Sequence, residues 1–228
     1  TDGGGWTLVA TLVQGDYKLG ADDWQQKWQQ TGFVRWADSS VFGDLANATQ
    51  YGLGDYKNPA WGSLIAKDML FHHVPDGTGL PGWRAAAVYS YHTTNGFLGA
   101  QGGSPLALFK DKCKLTNGGG AHQCLHVPIV YDVGDADSFA KEQFANNRGE
   151  SQRGFVTFGA WNSESYPFAF CPVKQIGPNA EHSCVGGNGS TGGNGAGGWG
   201  NMREWVYSGD WGMSVKLRTA ALMMLVRE

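Results

Sequence analysis

Glycine is the residue type that most restricts how this chain can fold. It supplies 36 of the 228 residues and nine of the fifteen residues in the segment GGNGSTGGNGAGGWG, 186–200. Because glycine tolerates positive φ and weakens helix interiors, this abundance favours turns, bulges and loops over a helical fold. The segment contains GNGSTG, a formal match to a dinucleotide-binding loop, but glycine follows it where that loop requires a helix. We therefore expect a loop-rich fold with β-structure, in which this segment is a surface loop or brings its backbone close to a ligand.

Apolar segments rich in β-branched residues recur along the chain and predict strands. They cover 4–13, 69–74, 83–92, 126–133, 153–161 and 215–228. The spacing of apolar residues predicts helices at 21–30 and 135–147, with shorter helical pieces at 58–69 and 103–111. No proline-rich linker and no internal repeat divides the chain. We therefore predict one α+β domain over residues 1–228, whose second half is mostly loop.

Charge and hydropathy argue against two classes of partner. Only 16 % of the residues are charged and the net charge is −3, which argues against an electrostatic nucleic-acid binder. No apolar stretch is long enough to cross a bilayer, so we expect no membrane span. The ten tryptophans indicate a large core and also flat amphipathic faces that suit sugars. The opening residues TDGGGW do not resemble a signal peptide, and we expect that they continue a longer precursor.

The four cysteines fall into two local pairs. Cys113 and Cys124 are 11 residues apart, and Cys171 and Cys184 are 13 residues apart. Two short cysteine-bounded loops favour two disulfides and a secreted, extracellular or otherwise oxidising location. A four-cysteine zinc site is the alternative, although the C-x₂-C spacing that such sites use is absent.

The segment NAEHSC, 179–184, carries the most specific chemistry. Asn179 and Glu181 offer carboxamide and carboxylate oxygens, which calcium prefers as ligands, and His182 could accept a proton from a metal-bound hydroxyl. The alternative is ordinary loop chemistry, in which Asn179 forms a turn and Glu181 faces solvent. The chain has no G-x-S-x-G nucleophile at a strand–helix junction and no H-E-x-x-H zinc helix, and we expect no enzymatic activity.

Several segments, in this order along the chain, resemble the intelectins, the X-type lectins within the fibrinogen-related domain superfamily. They are TDGGGWTLVA, DYKNP, AKDM followed by HVP, PIVYDVGDA, GFVTF, NAEHSCVGGNG and AALMMLVR. The resemblance thus extends from Thr1 to Arg227. DYKNP and NAEHSC are its specific parts, because GGGW alone indicates only the wider superfamily.

The resemblance implies an α+β fold with a fibrinogen-like first part, about residues 1–60, and a loop-rich second part. It also implies roughly two or three calcium ions that stabilise the second part. In intelectins an exposed calcium ion binds the exocyclic vicinal diol of a microbial sugar. The implied function is therefore that of a calcium-dependent lectin for glycans with terminal 1,2-diols, such as galactofuranose, glycerol- or phosphoglycerol-decorated glycans and keto-octulosonic acids.

Position by position, the resemblance assigns roles to individual residues. The calcium ligands that it implies are Asn179, Glu181, His182, Glu164, Asp16, Asp22 and Asp55. The diol pocket that it implies is formed by Glu181, His182, Trp211, Glu204 and either Trp199 or Trp205. It also matches Cys171–Cys184 to a family disulfide, whereas Cys113–Cys124 is local to this chain.

Three departures from the family pattern bear on these roles. Ser163 stands before Glu164, where the family usually has Asn. The calcium-binding glutamate that the family places after the glycines is absent, so Glu204, Asn188 or Asn194 substitutes for it or the site is weaker. The cysteines that link family subunits are also missing, so we expect that any homo-oligomer lacks those disulfides.

Three other functions remain as alternatives. The first is a fibrinogen-related binding module that recognises acetyl groups, although the chain lacks an Asp-rich calcium segment near its C-terminus. The second is a structural adhesion domain that binds no soluble sugar. The third is a glycosidase that uses Glu164 and Glu181 as paired carboxylates.

Overall fold

Strands make up most of the part of the chain that the structure describes. The computed structural model describes residues 5–13, 34–43, 56–75, 89–114, 122–134, 151–161, 167–176, 185–187 and 220–228. The strands in these ranges are β1 Trp6–Val13, β2 Tyr56–Lys57, β3 Asp68–Pro75, β4 Tyr89–Thr93, β5 His122–Val133, β6 Ser151–Gln152, β7 Phe155–Trp161, β8 Pro167–Cys171, β9 Lys174–Gln175, β10 Val185–Gly187 and β11 Ala220–Arg227. The helical elements are α1 Val34–Ala37, α2 Ala60–Ser63, α3 Phe97–Ala100, α4 Pro105–Ala107 and a π-helical turn, Leu108–Lys112.

Nine of these strands form one antiparallel sheet that curls into a half-barrel. Their order across the sheet is β10-β8-β7-β5-β4-β3-β11-β1-β2. Strands β6 and β9 form a separate two-stranded ribbon. The first and the last described strands, β1 and β11, are neighbours, with Trp6 opposite Arg227. The two ends of the described chain therefore share the same hydrogen-bonded sheet.

The prediction of an α+β fold with a fibrinogen-like first part is wrong for the described residues, which are mainly antiparallel sheet. The segment 58–69 shows the physical reason. Only Ala60–Ser63 is helical there, and a strand begins at Asp68. The N–H groups of Ala66 and Lys67, which follow that short helix, donate to the carbonyls of Gly103 at 2.7 Å and Arg227 at 2.6 Å, so contacts with distant segments take the place of further helical hydrogen bonds. The spacing of apolar residues within one segment could not show that hydrogen bonds to distant segments compete with helical hydrogen bonds.

The strand predictions are confirmed in type where the structure describes the predicted segments. The predicted segments 4–13, 69–74, 83–92, 126–133, 153–161 and 215–228 correspond to β1, β3, β4, β5, β7 and β11. The predicted helical piece at 103–111 corresponds to α4 and the π-helical turn. The helices predicted at 21–30 and 135–147 lie outside the described residues.

An aromatic core joins the sheet to the helical elements. Within the sheet, the ring centroids of Phe71 and Phe170 are 4.8 Å apart. Trp36 of α1 lies edge-on to Phe109 of the π-helical turn at 5.1 Å, and Trp61 of α2 stacks on the same ring at 6.0 Å. All five side chains are buried. Buried rings of this size supply a large share of the hydrophobic stabilisation of the core.

Candidate functional site

The residues predicted to bind calcium and the diol all fall outside the described ranges. They are Asn179, Glu181, His182, Glu164, Asp16, Asp22, Asp55, Trp211, Trp205, Trp199 and Glu204. The two predicted asparagine substitutes, Asn188 and Asn194, also lie outside these ranges. Their predicted roles therefore remain predictions, and the structure describes the framework on either side of them.

The chain on both sides of the NAEHSC segment belongs to two hydrogen-bonded neighbouring strands. β8 ends at Cys171, and β10, which begins at Val185, pairs antiparallel with it so that Val185 lies opposite Phe170. Cys171 is buried and disulfide-bonded. Its predicted partner, Cys184, lies outside the described residues. The segment between these strands is thus bounded on both sides by ordered sheet.

A second anchor lies just after β8. The hydroxyl of Thr157 in β7 donates a 2.8 Å hydrogen bond to the carbonyl of Val173, and both residues are fully buried. Lys174–Gln175 then pairs with Ser151–Gln152 in the small ribbon. This second anchor reaches to within a few residues of Asn179 along the chain.

The chain on both sides of Glu164 is also defined. Trp161 at the end of β7 lies opposite Pro167 at the start of β8. Residues 162–166, which include Glu164, therefore connect two antiparallel neighbours. Strands of the sheet thus flank two of the segments in which the resemblance predicts calcium ligands.

The DYKNP motif has a structural role at Lys57 and Asn58. The Lys57 ammonium has no exposed surface and donates to the carboxylate of Asp38 at 2.9 Å, to the carbonyl of Asp38 at 2.8 Å and to the carbonyl of Arg35. The Asn58 amide donates to the carbonyl of Leu8 at 2.8 Å. Lys57 and Asn58 therefore tie two distant segments to β2.

Burial and hydrogen bonding shift the pKa values of this pair. Burial lowers the pKa of Lys57, and the hydrogen bond and charge of Asp38 only partly oppose it. Burial would raise the pKa of Asp38, but hydrogen bonds from Ser40 and Lys57 outweigh that effect and lower it. The rings of Phe42 and Trp61 lie within 5.9 Å and 5.5 Å of the ammonium, so a cation–π contribution helps to hold it.

Two further segments of the resemblance, AKDM and AALMMLVR, meet at Asp68 and Arg227. The guanidinium of Arg227 is 3.1 Å from the carboxylate of Asp68 and 4.6 Å from the ring centroid of Trp6. The buried hydroxyl of Thr93 donates to Asp68 at 3.3 Å and accepts from the N–H group of Met69 at 2.9 Å. This cluster links four strands through side chains that lie up to 221 positions apart in the sequence.

A histidine–aspartate pair, which was not predicted, lies on β4 and β5. Nδ1 of His92 is 2.8 Å from the carboxylate of Asp132, and the hydroxyl of Ser90 donates to the same oxygen at 3.5 Å. The carboxylate thus stands between the serine and the histidine, whereas a nucleophilic triad needs the histidine in the middle. Among the described residues this cluster is therefore not arranged to activate Ser90. Two features of the sequence were the only indications of this pair. They are the alternation in YSYH, which contains His92, and the end of the β5 segment, which contains Asp132.

The adjacent histidines of β3, His72 and His73, lie in the core. His73 is fully buried, and its Nε2 atom is 2.8 Å from the hydroxyl of Tyr91. Burial lowers the pKa of His73 well below its usual value, and the neighbouring His72 adds to this effect. Burial likewise raises the pKa of Tyr91. Both side chains are thus neutral hydrogen-bonding groups at physiological pH.

Cys113 and Cys124 are joined by a disulfide, with their Cα atoms 5.5 Å apart. The bond attaches the end of the π-helical turn to β5. It rules out a four-cysteine zinc site, because metal ligation requires free thiolates. In the described part of the chain no group of three or more His, Cys, Asp or Glu residues could hold a metal ion. No helix among the same residues is long and apolar enough to cross a membrane.

No protein-family model matches the chain. The comparison with known families therefore identifies no family for the candidate site.

Proposed function

We propose that this protein is a calcium-dependent lectin that binds exocyclic vicinal diols of microbial glycans. The observation that carries the proposal is the NAEHSC segment within a resemblance to intelectins that extends from Thr1 to Arg227. Its donor set suits calcium, because Asn179 and Glu181 offer the hard oxygen ligands that this ion prefers. Calcium bound there would supply a Lewis-acidic centre with coordination places for two hydroxyl groups.

The described framework supports the proposal. β8 and β10 are hydrogen-bonded neighbours, and Cys171 is held by a disulfide. A loop that is bounded by paired strands and a disulfide loses less conformational entropy when it forms a binding site than an unrestrained segment does. This restraint on the loop comes from the observed sheet and the disulfide. It therefore holds although the predicted α+β fold is wrong.

In this proposal each residue has a distinct role. Glu181 and His182 accept hydrogen bonds from the two hydroxyls of the diol. Trp211, with Trp199 or Trp205, shields the apolar carbons of the sugar's exocyclic chain from water. A diol that is part of a pyranose ring would clash with these walls, so shape provides the selectivity. Binding at one site is weak, and several copies are needed for high avidity.

The test is calcium-dependent binding to a surface that displays terminal glycerol groups, measured by biolayer interferometry. We expect binding in millimolar calcium, loss of binding in excess EDTA and recovery when calcium is restored. Glu181→Gln and His182→Ala should each lower the affinity at least about tenfold, since each removes an acceptor from the diol. The matched control is Glu228→Gln, because Glu228 is exposed at the end of the described chain.

The other functions give different results in the same experiment. Binding that persists unchanged in EDTA contradicts the calcium mechanism. Inhibition by N-acetylated sugars and not by glycerol indicates an acetyl-binding module. Release of free sugar from the ligand indicates a glycosidase, and the absence of binding to any soluble glycan indicates a structural adhesion domain.

A further inference from the structure

An aromatic and cationic cluster lies on the outer face of β5 and β7, apart from the residues of the proposed diol site. Phe155, at the start of β7, is at its centre and is partly exposed. Nζ of Lys174 lies 5.8 Å from the centroid of the Phe155 ring. The ring of His126 is edge-on to the same ring, with 6.1 Å between centroids. These three residues are named the Phe155 cluster.

The backbone holds the three side chains from three different elements. Phe155 lies opposite Pro128 in the pairing of β7 with β5, and His126 is two residues before Pro128 on the same face. Lys174 lies opposite Gln152 in the β6–β9 ribbon. These elements are hydrogen-bonded or directly connected to one another, so the cluster is preorganised and needs little ordering when a ligand binds.

The surface around the cluster is open and partly apolar. His126, Pro128 and Val130 alternate along the outer face of β5 and are all exposed, with Val130 at 48 %. Ile176, just after Lys174, is 59 % exposed. Such a mixture of apolar carbons with one aromatic ring, one imidazole and one ammonium group suits a ligand that is itself part apolar and part anionic, as a charged glycan is.

Lys174 gives the cluster a positive charge that its described neighbours do not neutralise. Lys57, Arg227 and His92 each have an aspartate partner within 3.1 Å. For Lys174 and His126, by contrast, no carboxylate among the described residues forms an ion pair. The Phe155 ring holds the Lys174 ammonium in place without cancelling its charge. A cation held in this way is suited to bind a phosphate or carboxylate group.

The cluster is also close along the chain to the predicted diol site. Lys174 precedes Asn179 by five residues, so the two Cα atoms are at most roughly 18 Å apart even in a fully extended chain. A short oligosaccharide can span this distance. A glycan whose terminal diol is bound at the NAEHSC segment could therefore place an inner charged group against Lys174.

We propose that the Phe155 cluster is a second subsite, at which Lys174 and His126 bind a phosphate or carboxylate group of an anionic glycan while Phe155 and Pro128 contact its apolar carbons. The anion subsite stands on the described geometry. Its cooperation with the diol site rests on the proposed lectin function. The two sites together favour anionic glycans over neutral ones with the same terminal diol.

The anion subsite is tested alone by NMR titration of the full chain with methyl phosphate and, separately, with acetate. We expect saturable shifts at Phe155, Lys174 and His126 and none at Lys110, an exposed lysine of the π-helical turn. Lys174→Gln should abolish these shifts, whereas Lys110→Gln should leave them unchanged. Whichever of methyl phosphate and acetate produces the larger shifts shows whether phosphate or carboxylate is the preferred group. Equal shifts at Lys110, or none at the cluster, would overturn the subsite.

Cooperation with the diol site is tested with two ligands that share a terminal glycerol, an oligo(glycerol phosphate) and a neutral oligoglycerol of the same length, both in calcium. The wild type should bind the charged ligand about fivefold more tightly, which corresponds to a gain of about 1 kcal/mol from one exposed ionic contact. Lys174→Gln should lose this preference and keep its affinity for the neutral ligand, and Lys110→Gln should change neither.

The outcomes separate the two proposals. If neither oligomer binds in calcium but methyl phosphate still shifts Phe155 and Lys174, the lectin function fails and the anion subsite stands. If both oligomers bind equally and neither methyl phosphate nor acetate produces shifts at the cluster, the subsite fails and the lectin function stands. If methyl phosphate binds at the cluster but the charged oligomer shows no preference, the cooperation between the sites is refuted.

Discussion

The ammonium of Lys57 lies 2.9 Å from the carboxylate of Asp38, although the lysine side chain has no exposed surface and the aspartate side chain is 27 % exposed. The same ammonium donates to two backbone carbonyls of the segment that contains α1. Lys57 thus attaches this segment to the edge strand β2. Because a buried charge is costly unless it is paired and hydrogen-bonded, these partners are required for the local packing.

Lys57→Met should therefore destabilise the protein by about 3 kcal/mol, because it leaves two carbonyls and a partly buried carboxylate without their donor. The measurement is the urea midpoint followed by circular dichroism, with Lys110→Met as the control at an exposed position. A loss no larger than that of the control would show that water replaces the ammonium without cost.

The contribution of Asp38 should depend on pH in the acid range. Its pKa is lowered from 3.8 in the folded protein, so the folded state favours the ionised form. The stability from this group is fully present above pH 3.8 and is lost as the pH falls through the lowered pKa. The difference in free energy of unfolding between the wild type and Asp38→Asn should therefore shrink on acidification below that pH. A difference that is constant or grows would contradict this assignment.

Thr93→Val should cost about 1–3 kcal/mol, because it leaves the buried N–H group of Met69 without its acceptor and Asp68 without one donor. The matched control is Thr7→Val, the same substitution at an exposed position of β1, which should change stability by less than about 0.5 kcal/mol. Chemical denaturation of both variants measures the difference. Equal effects would mean that the hydroxyl of Thr93 contributes no net stabilisation.

Gly159→Ala should be more destabilising than Gly154→Ala, although both glycines have positive φ, of 57° and 80°. A Cβ atom at Gly159 would lie 3.0 Å from Cβ of Cys113 and 3.1 Å from Cβ of Cys124, whereas nothing lies within 4 Å of one at Gly154. Gly154→Ala should therefore show only the backbone strain, about 1–2 kcal/mol. Gly159→Ala adds steric overlap with the disulfide.

A double-mutant cycle separates strain from overlap at Gly159. Replacing both Cys113 and Cys124 by alanine keeps their Cβ atoms but lets them move apart, so the additional penalty at Gly159 should decrease. Thermal unfolding of the four variants gives the coupling energy. A coupling near zero would mean that the crowding around the disulfide does not determine the requirement for glycine.

Calcium should stabilise the folded protein if the proposed function is correct. At a free concentration about 100 times the dissociation constant, a single site contributes about 2.7 kcal/mol. For a chain of this length that raises the thermal midpoint by about 5–10 °C. Differential scanning calorimetry in calcium, in magnesium and in EDTA measures the effect. A midpoint that is the same in all three conditions would argue against a structural calcium ion.

Much of the strand content could be predicted from the sequence, because it depends on local patterns. The apolar, β-branched segment 4–13 corresponds to Trp6–Val13, and 215–228 contains Ala220–Arg227. The short spacing of Cys113 and Cys124 likewise indicated their disulfide, which closes a loop of local chain. The NAEHSC segment predicts calcium chemistry by residue type alone, and this stays a prediction because residues 179–184 lie outside the described ranges.

Only the tertiary structure decided which strands pair and which polar groups meet. The sequence pattern could not show that Arg227 would meet Asp68, 159 residues away, or that His92 would meet Asp132, because strand register brings these side chains together. The α+β prediction was overturned by the predominance of antiparallel sheet, whose hydrogen bonds join backbone groups that are far apart in the sequence, as between β3 and β11. Local preferences are small, and burial together with sheet hydrogen bonding outweighs them once distant segments pack.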